Sequence, residues 1–198
     1  MTTFYQAIEN RRSYYAVSKE EVVSSERIQE IVEHAVKYVP SAFNSQSARV
    51  LVLFANEHDA FWDNTTALLK DIVGDGDFSG TQAKMDGFKA GSGTVLFFED
   101  QTVVEDLQES FALYADNFPV WSEQSSGMLQ FAIWTALELE GLGASLQHYN
   151  PIVDEMVASK WDIPKSWKLR AQMPFGKPAQ DVGEKEFKPL EDRVKIAK

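Results

Sequence analysis

The stretch "YVPSAFNSQSARVLVLFA", residues 38–55, joins two apolar patterns through a patch of small and amide side chains: Ser41, Asn44, Ser45, Gln46 and Ser47. Upstream, Ile28, Ile31, Val32, Ala35, Val36 and Val39 recur at 3-1-3-1-3 spacing. That spacing predicts an amphipathic helix, capped by Ser24 or Ser25 and closed by Pro40. Downstream, "RVLVLFA" (49–55) is continuously apolar and β-branched, which predicts a strand covered on both faces. A helix that hands over to a buried strand sets an α+β reading. The connection itself needs only a Gly or two, so its many hydrogen-bonding groups suggest that the loop meets a ligand.

Working outward, Phe4, Tyr5 and Ile8 predict a short helix that delivers "NRRSYY" at its end. Phe61, Trp62, Thr65, Leu68, Leu69 and Ile72 predict the next helix, which "GDGDFSG" breaks. A short helix around 81–90, a buried strand at 94–99 and a helix over 103–114 follow, with Pro119 as an interruption. A long helix over 122–140 should end at Gly141 and Gly143. "ASLQHY" (144–149) reads as a strand, 151–161 as a helix and "KLRAQMPFG" (168–176) as a central strand. The tail carries Phe187, Leu190, Val194 and Ile196 with no evident partner in its own core. No repeat, linker or low-complexity segment interrupts this order, so residues 1–198 read as one domain.

Composition narrows the function. The chain has 198 residues, 44% hydrophobic, 25% charged and 12% aromatic, the balance of a globular protein. A net charge of −11 argues against nucleic acid or an anionic membrane as partner. The absence of cysteine excludes disulfides, thiolate catalysis and Cys-ligated metals. "MTTFYQAIENRR" lacks an apolar leader core, and the apolar runs of about six residues fall far short of the roughly 20 that span a membrane, so the cytoplasm is the default.

Three stretches compete for the chemistry. "GLGASLQ" (141–147) has Leu146 where a dinucleotide fingerprint needs its third glycine, and it precedes a strand instead of following one, so a helix end is the better reading. "DGDFSGTQAKMD" (75–86) matches a twelve-residue calcium loop through Asp75, Asp77, Ser79, Gly80 and Asp86. Its eighth position is the polar Gln82, its last ligand is Asp, and no second loop exists, which favours a solvated turn. Third, Arg11, Arg12 and Ser13 are a guanidinium pair beside a hydroxyl, with further cations at Arg193, Lys195 and Lys198. Such a set suits a phosphate monoester, although two arginines at a helix end can equally be solvated and complement its dipole.

The chain resembles the FMN-dependent nitroreductase superfamily on three motifs. "NRRSYY" is similar to its Arg-x-Ser phosphate motif and "PSAFNSQS" to its P-S-x-x-N-x-Q flavin motif. "YADNFPVWSEQSSGMLQFAIWTALELEGLGASLQHYNP" (114–151) resembles the short members that include the yeast fatty-acid-repression-mutant proteins and bacterial relatives. The resemblance covers essentially the whole chain. It implies a three-layer fold, with a central mixed or antiparallel sheet flanked by helices, and a homodimer that exchanges C-terminal tails. FMN would lie in a cleft between subunits, and NAD(P)H would be the electron donor.

By the same resemblance, Arg11, Arg12 and Ser13 of one subunit contact the FMN phosphate and ribityl chain, aided by Gly176, Lys177 and Arg193. Pro40, Ser41, Asn44 and Gln46 approach from the other subunit. Leu146, Gln147 and His148 line the N5 edge through their backbone, and Lys84 or Lys89 meets the N1–C2=O edge. Phe111, Tyr114, Phe118 and Trp121 are candidates for the wall against which an acceptor stacks. The sequence departs from the family at Tyr15, where many members carry a cation, and at Ser47-Ala48, where many carry Pro-Trp. The implied activity is reduction of nitroaromatics, quinones or similar electrophiles by a ping-pong route. A flavoprotein with a lipid- or stress-signalling role is the alternative, and a calcium-binding or structural protein is the remote one.

Overall fold

The computed structural model describes residues 3–198. In chain order the elements are α1 (Phe4–Asn10), β1 (Val17–Ser18), α2 (Ser25–Tyr38), β2 (Ala48–Phe54), α3 (Ala55–Val73), α4 (Ser79–Lys89) and β3 (Gly93–Asp100). There follow α5 (Gln101–Ser110), α6 (Phe118–Leu139), β4 (Gly143–Ala144), α7 (Asp154–Lys160) and β5 (Trp167–Pro178). The sheet order is β1-β5-β3-β2, with β4 also paired to β5, and every strand pair is antiparallel.

All eight residues of β3 are buried, so β3 forms the floor of two cores. Alternation along the strand sends Val95 and Phe97 to one face, where Ile28, Val32 and Ala35 of α2 and Leu129, Ile133 and Leu137 of α6 pack on them. Leu96 and Phe98 face the opposite layer, built from Phe61 and Trp62 of α3, Met85 and Phe88 of α4 and Val157 of α7. Helices therefore cover both faces of the sheet, giving the three layers that the family resemblance implied. A β-bulge between Phe97 and Phe98 leaves Arg170 of β5 without an opposite residue and shifts the alternation. Leu169 consequently faces the second core while Ala171 and Met173 face the first.

Local chemistry explains most boundaries. Thr3 and Gln6 form a reciprocal capping box on α1, and the Ser24 hydroxyl, of the two candidates, accepts from the Arg27 N–H at the start of α2. Both faces of β2 touch core residues as expected, but its edge position leaves every residue except Leu53 half-buried. Val36 points outward and lies outside the buried stripe of α2. Pro119 does not interrupt a helix. It sits in the first turn of α6, where its missing N–H breaks no helical bond, and residues 112–117 form a 3-10 turn ahead of it. The expected strand at 144–149 shrinks to β4 and one bridge, Gln147 to Gln172. Beyond β5 the chain runs on as an extended tail with Phe187, Leu190, Val194 and Ile196 exposed. No helix among the described residues is long and apolar enough to cross a membrane.

Candidate active site

The cationic cluster lies at the Gly93 end of β3. Ser13 bridges Ala144 in parallel register, and the Tyr14 N–H donates to the Ala144 carbonyl at 2.9 Å, so the chain after Arg12 is pinned to β4. β4 pairs with Phe175 and Gly176 of β5, and Gly93 pairs with Phe175 from the other direction. A side chain at Gly176 would meet the Ser18 carbonyl at 2.5 Å, so close backbone packing already accounts for this glycine. The Arg11 guanidinium lies 4.3 Å from the centroid of the Trp134 ring, whose indole N–H donates to the Ala144 carbonyl. Burial and the neighbouring Arg12 push the Arg11 pKa down, while Glu138 opposes them.

The other expected cations are already engaged or lie in the exposed tail. Arg12 donates to the Gly183 carbonyl at 2.7 Å and so fixes the root of the tail. Lys177 pairs with Glu20, and Arg193 lies in the exposed tail, in a turn closed on Leu190. Arg11 and Ser13 are thus brought together with Gly176, whereas Arg193 lies in the exposed tail.

Residues 145–148 run beside β5. The N–H groups of Ser145 and Gln147 donate to Pro174 and Gln172, so those of Leu146 and His148, one residue on, point away from the sheet. Gln147 is buried with its amide on the Ser145 hydroxyl, whereas the His148 side chain is exposed. This leaves an edge of two outward N–H groups, as a bound heterocycle would require. Of the two candidate lysines, Lys89 is paired with Asp63 at 2.6 Å, and Lys84 places its ammonium 6.0 Å from the Tyr149 ring centroid.

The amide loop lies at the opposite end of β3. Ser47 accepts from the Asp100 N–H at 2.9 Å, and Ala48 is paired with Glu99. The Ser41 hydroxyl accepts from the Gln46 N–H at 2.9 Å, and Arg49 donates to the Gln46 carbonyl at 2.8 Å. Phe43, Asn44 and Gln46 take φ values of 56°, 52° and 51°, left-handed at three non-glycine positions out of four. Such conformations cost about 1–2 kcal/mol each for ordinary side chains, less for Asn. Asn44 and Gln46 are exposed as a result, and Pro40, Ser41 and Gln46 border a cleft of about 500 Å³ between α2 and the sheet.

Phe43 offsets that strain. Its ring centroid lies 5.0 Å from Phe111, 6.0 Å from Tyr114, 5.2 Å from Phe118 and 5.9 Å from Trp121. Aromatic pairs in such geometries contribute about 0.5–1.5 kcal/mol each beyond area burial. The four rings read as an acceptor wall therefore form a box around a residue of the amide loop. Phe118 is core, 3% exposed, while Phe111 and Tyr114 are exposed and Trp121 is half-buried.

Beneath the loop, the Ser47 hydroxyl donates to Oε2 of Glu99 at 2.5 Å, and Glu99 is fully buried with Oε1 unpartnered. Burial pushes the Glu99 carboxyl up to about 7, against the Ser47 hydrogen bond and the charges of Arg170 and Arg49. Arg170, the bulge residue, is itself paired with Glu123 of α6. Phe43, Arg49, Glu99 and Trp134 all support the site and escaped the sequence reading, whereas Ser47 was read only as part of the polar patch. A single Phe among small polar residues at 41–47 was the one available signal.

The calcium-loop pattern does not form a loop. Residues 79–86 are helical, Asp77 accepts from the Ser79 N–H, and Asp86 is engaged by Gln82. No group of three or more acidic or histidine side chains converges on one point among the described residues.

The two halves stand far apart within one chain. β3 spans seven residue steps from Gly93 to Asp100, about 24 Å at the rise of an antiparallel strand. The cations gather at one end and the amides at the other.

Comparison with known proteins identifies the fold and the family. The family model described as "Nitroreductase family" matches residues 8–177. HBN1 of Saccharomyces cerevisiae is 36% identical over 190 residues, 94% of each chain. The nitroreductase CinD from Lactococcus lactis, solved with nicotinic acid, is 50% identical with a TM-score of 0.92, covering 99% of this chain and 100% of its own. A Desulfovibrio desulfuricans structure in complex with FMN, at 21% identity and a TM-score of 0.68 over 98% and 95% of the two chains, shares the fold. The chain belongs to the nitroreductase family.

Proposed function

We propose that this protein is a homodimeric, FMN-dependent NAD(P)H oxidoreductase that reduces nitroaromatics, quinones or similar electrophiles. The observation that carries the reading is the separation of the two half-sites at the ends of β3, each chemically complete for a different part of one cofactor. The Arg11 guanidinium beside the Ser13 hydroxyl suits a phosphate, and outward N–H groups at 146 and 148 suit the acceptor edge of a heterocycle. Exposed amides at Asn44 and Gln46, from a second copy, suit its remaining polar rim. When bound, FMN supplies the two-electron chemistry, and the chain's own residues bind it, orient it and shape the face left open.

The same reading assigns the rest of the surface. The tail exposes Phe187, Leu190, Val194 and Ile196, and α6 exposes Val120, Met128, Phe131 and Leu139, apolar side chains suited to burial in an interface. A second copy covers both, and Arg193 reaches the phosphate region through the exchanged tail. CinD has been solved with nicotinic acid, chloramphenicol and 4-nitrophenol, an aromatic acid and two nitroaromatics. Ligands of this kind fit a donor and an acceptor that use one open face in turn, which is ping-pong behaviour.

The test is steady-state kinetics with NADH or NADPH as donor and 4-nitrophenol or a quinone as acceptor, on protein whose flavin content has been measured. Parallel double-reciprocal lines are the expected result. Intersecting lines would require donor and acceptor to bind together and would exclude a single shared face.

A further inference from the structure

The backbone of Phe43 is spanned by two turn hydrogen bonds that engage its neighbours' N–H groups. The Ser41 and Arg49 contacts clasp Gln46, and the turn bonds run from Asn44 N–H to Ser41 and from Ser45 N–H to Ala42. The ring adds a second hold on this exposed turn: its centroid lies within 6 Å of Phe111, Phe118 and Trp121, and it stacks on Trp121 at an interplanar angle of 19°. If the ring left this box, φ at 43 could return to the favourable region, and the turn that directs Asn44 and Gln46 outward would go with it.

We propose that Phe43 is a positioning residue for the amide loop: seated among Phe111, Tyr114, Phe118 and Trp121, it fixes the strained turn that presents Asn44 and Gln46. The proposal rests on the reading of 40–46 as cofactor-binding. It reassigns the 111–121 segment from a passive acceptor wall to the anchor of that loop. Affinity for FMN then depends on rings of 111–121 through Phe43, and acceptors meet the half-exposed face of Phe43 before the rings beneath it.

Two readouts on the dimeric protein test it: the FMN dissociation constant, followed by flavin fluorescence, and hydrogen exchange at the Asn44 and Ser45 amides in flavin-free protein. Phe43→Ala is expected to weaken FMN at least tenfold and to speed exchange at both amides at least tenfold. Phe43→Tyr, which keeps the ring, should stay within twofold on both readouts. Trp121→Ala should act in the same direction, and the double variant should be little worse than Phe43→Ala, because both changes break one contact. If Phe43→Ala is insoluble, Phe43→Leu decides, with a smaller loosening in the same two readouts.

Unchanged exchange at Asn44 and Ser45, unchanged FMN affinity, or fully additive losses would each overturn the proposal. Should the wild-type protein hold no FMN, the functional reading fails. The exchange measurement then decides the anchor alone.

Discussion

The Ser47 hydroxyl donates to the buried carboxyl of Glu99 at 2.5 Å, tying the last residue of the amide loop to the end of the central strand. Glu99 lies on the same face of β3 as Val95 and Phe97, surrounded by core, with Arg170 and Arg49 as the nearest compensating charges and Asp100 as an opposing one. A carboxyl so placed titrates near neutrality, and the consequence for stability has a definite sign.

Burial raises Glu99 from 4.5 to about 7 in the folded protein. Its contribution to stability is therefore fully present below pH 4.5 and is lost as pH rises through 7. Glu99→Gln keeps the shape and an acceptor for Ser47 but cannot ionise. Its stability relative to wild type should rise between pH 5 and pH 8, by on the order of 2–3 kcal/mol at about 1.4 kcal/mol per pKa unit. Urea unfolding at the two pH values measures this, and parallel pH dependences of the two proteins would contradict it.

Arg11 is the cation at the Ser13 end that retains a free guanidinium face, since Arg12 is bonded to the tail and Lys177 to Glu20. A charge-assisted hydrogen bond is worth roughly 1.5–3 kcal/mol, so Arg11→Ala should weaken FMN by about ten- to a hundredfold. Riboflavin, which lacks the phosphate, should bind nearly as before. Equal losses for both flavins, in a titration followed by fluorescence, would place Arg11 elsewhere.

The residues after Gly183 are exposed, and among the described residues the side-chain hydrogen bond from the rest of the subunit to the root of the tail is that of Arg12. An exchanged tail in an obligate dimer should bury well over roughly 2,000 Å². Deletion of residues 184–198 is expected to give insoluble or flavin-free protein. Light scattering and absorbance settle it, and a folded, yellow monomer would refute the exchange.

Phe118 and Trp121 sit one helical turn apart but should respond differently to truncation. Phe118 is 3% exposed and lies under Phe43, so Phe118→Ala removes core volume and should destabilise by about 3–5 kcal/mol. Trp121 is half-buried, so its loss should be smaller in unfolding and larger in cofactor and acceptor binding. Equal unfolding losses for the two variants would contradict the packing described.

What could be read from the sequence was whatever repeats or matches a pattern. Ile28, Ile31, Val32 and Ala35 announce α2 because a helical face must be apolar at that period, and all four are buried. β1, at two residues, is too short to carry any periodicity, and the bulge at Arg170 arises from register between strands distant in sequence. Pro119 was misread because a proline that opens a helix and one that breaks it look alike until the preceding turn is known. The motif residues Arg11, Ser13, Asn44 and Gln46 were visible individually. Their division between opposite ends of β3 depends on which strand end each loop meets, which no local pattern encodes.

That division gives the most direct test of the account, that each FMN site is built from two chains. Arg11→Ala impairs the cationic half and Asn44→Ala with Gln46→Ala impairs the amide half, so each variant homodimer should hold little flavin. A mixed dimer, isolated with two different affinity tags, would join the intact Arg11 of one chain to the intact amides of the other. The measurement is FMN bound per mixed dimer. About one FMN, half the wild-type content, is the predicted result, whereas no recovery above the two parent variants would mean that each site lies within a single chain.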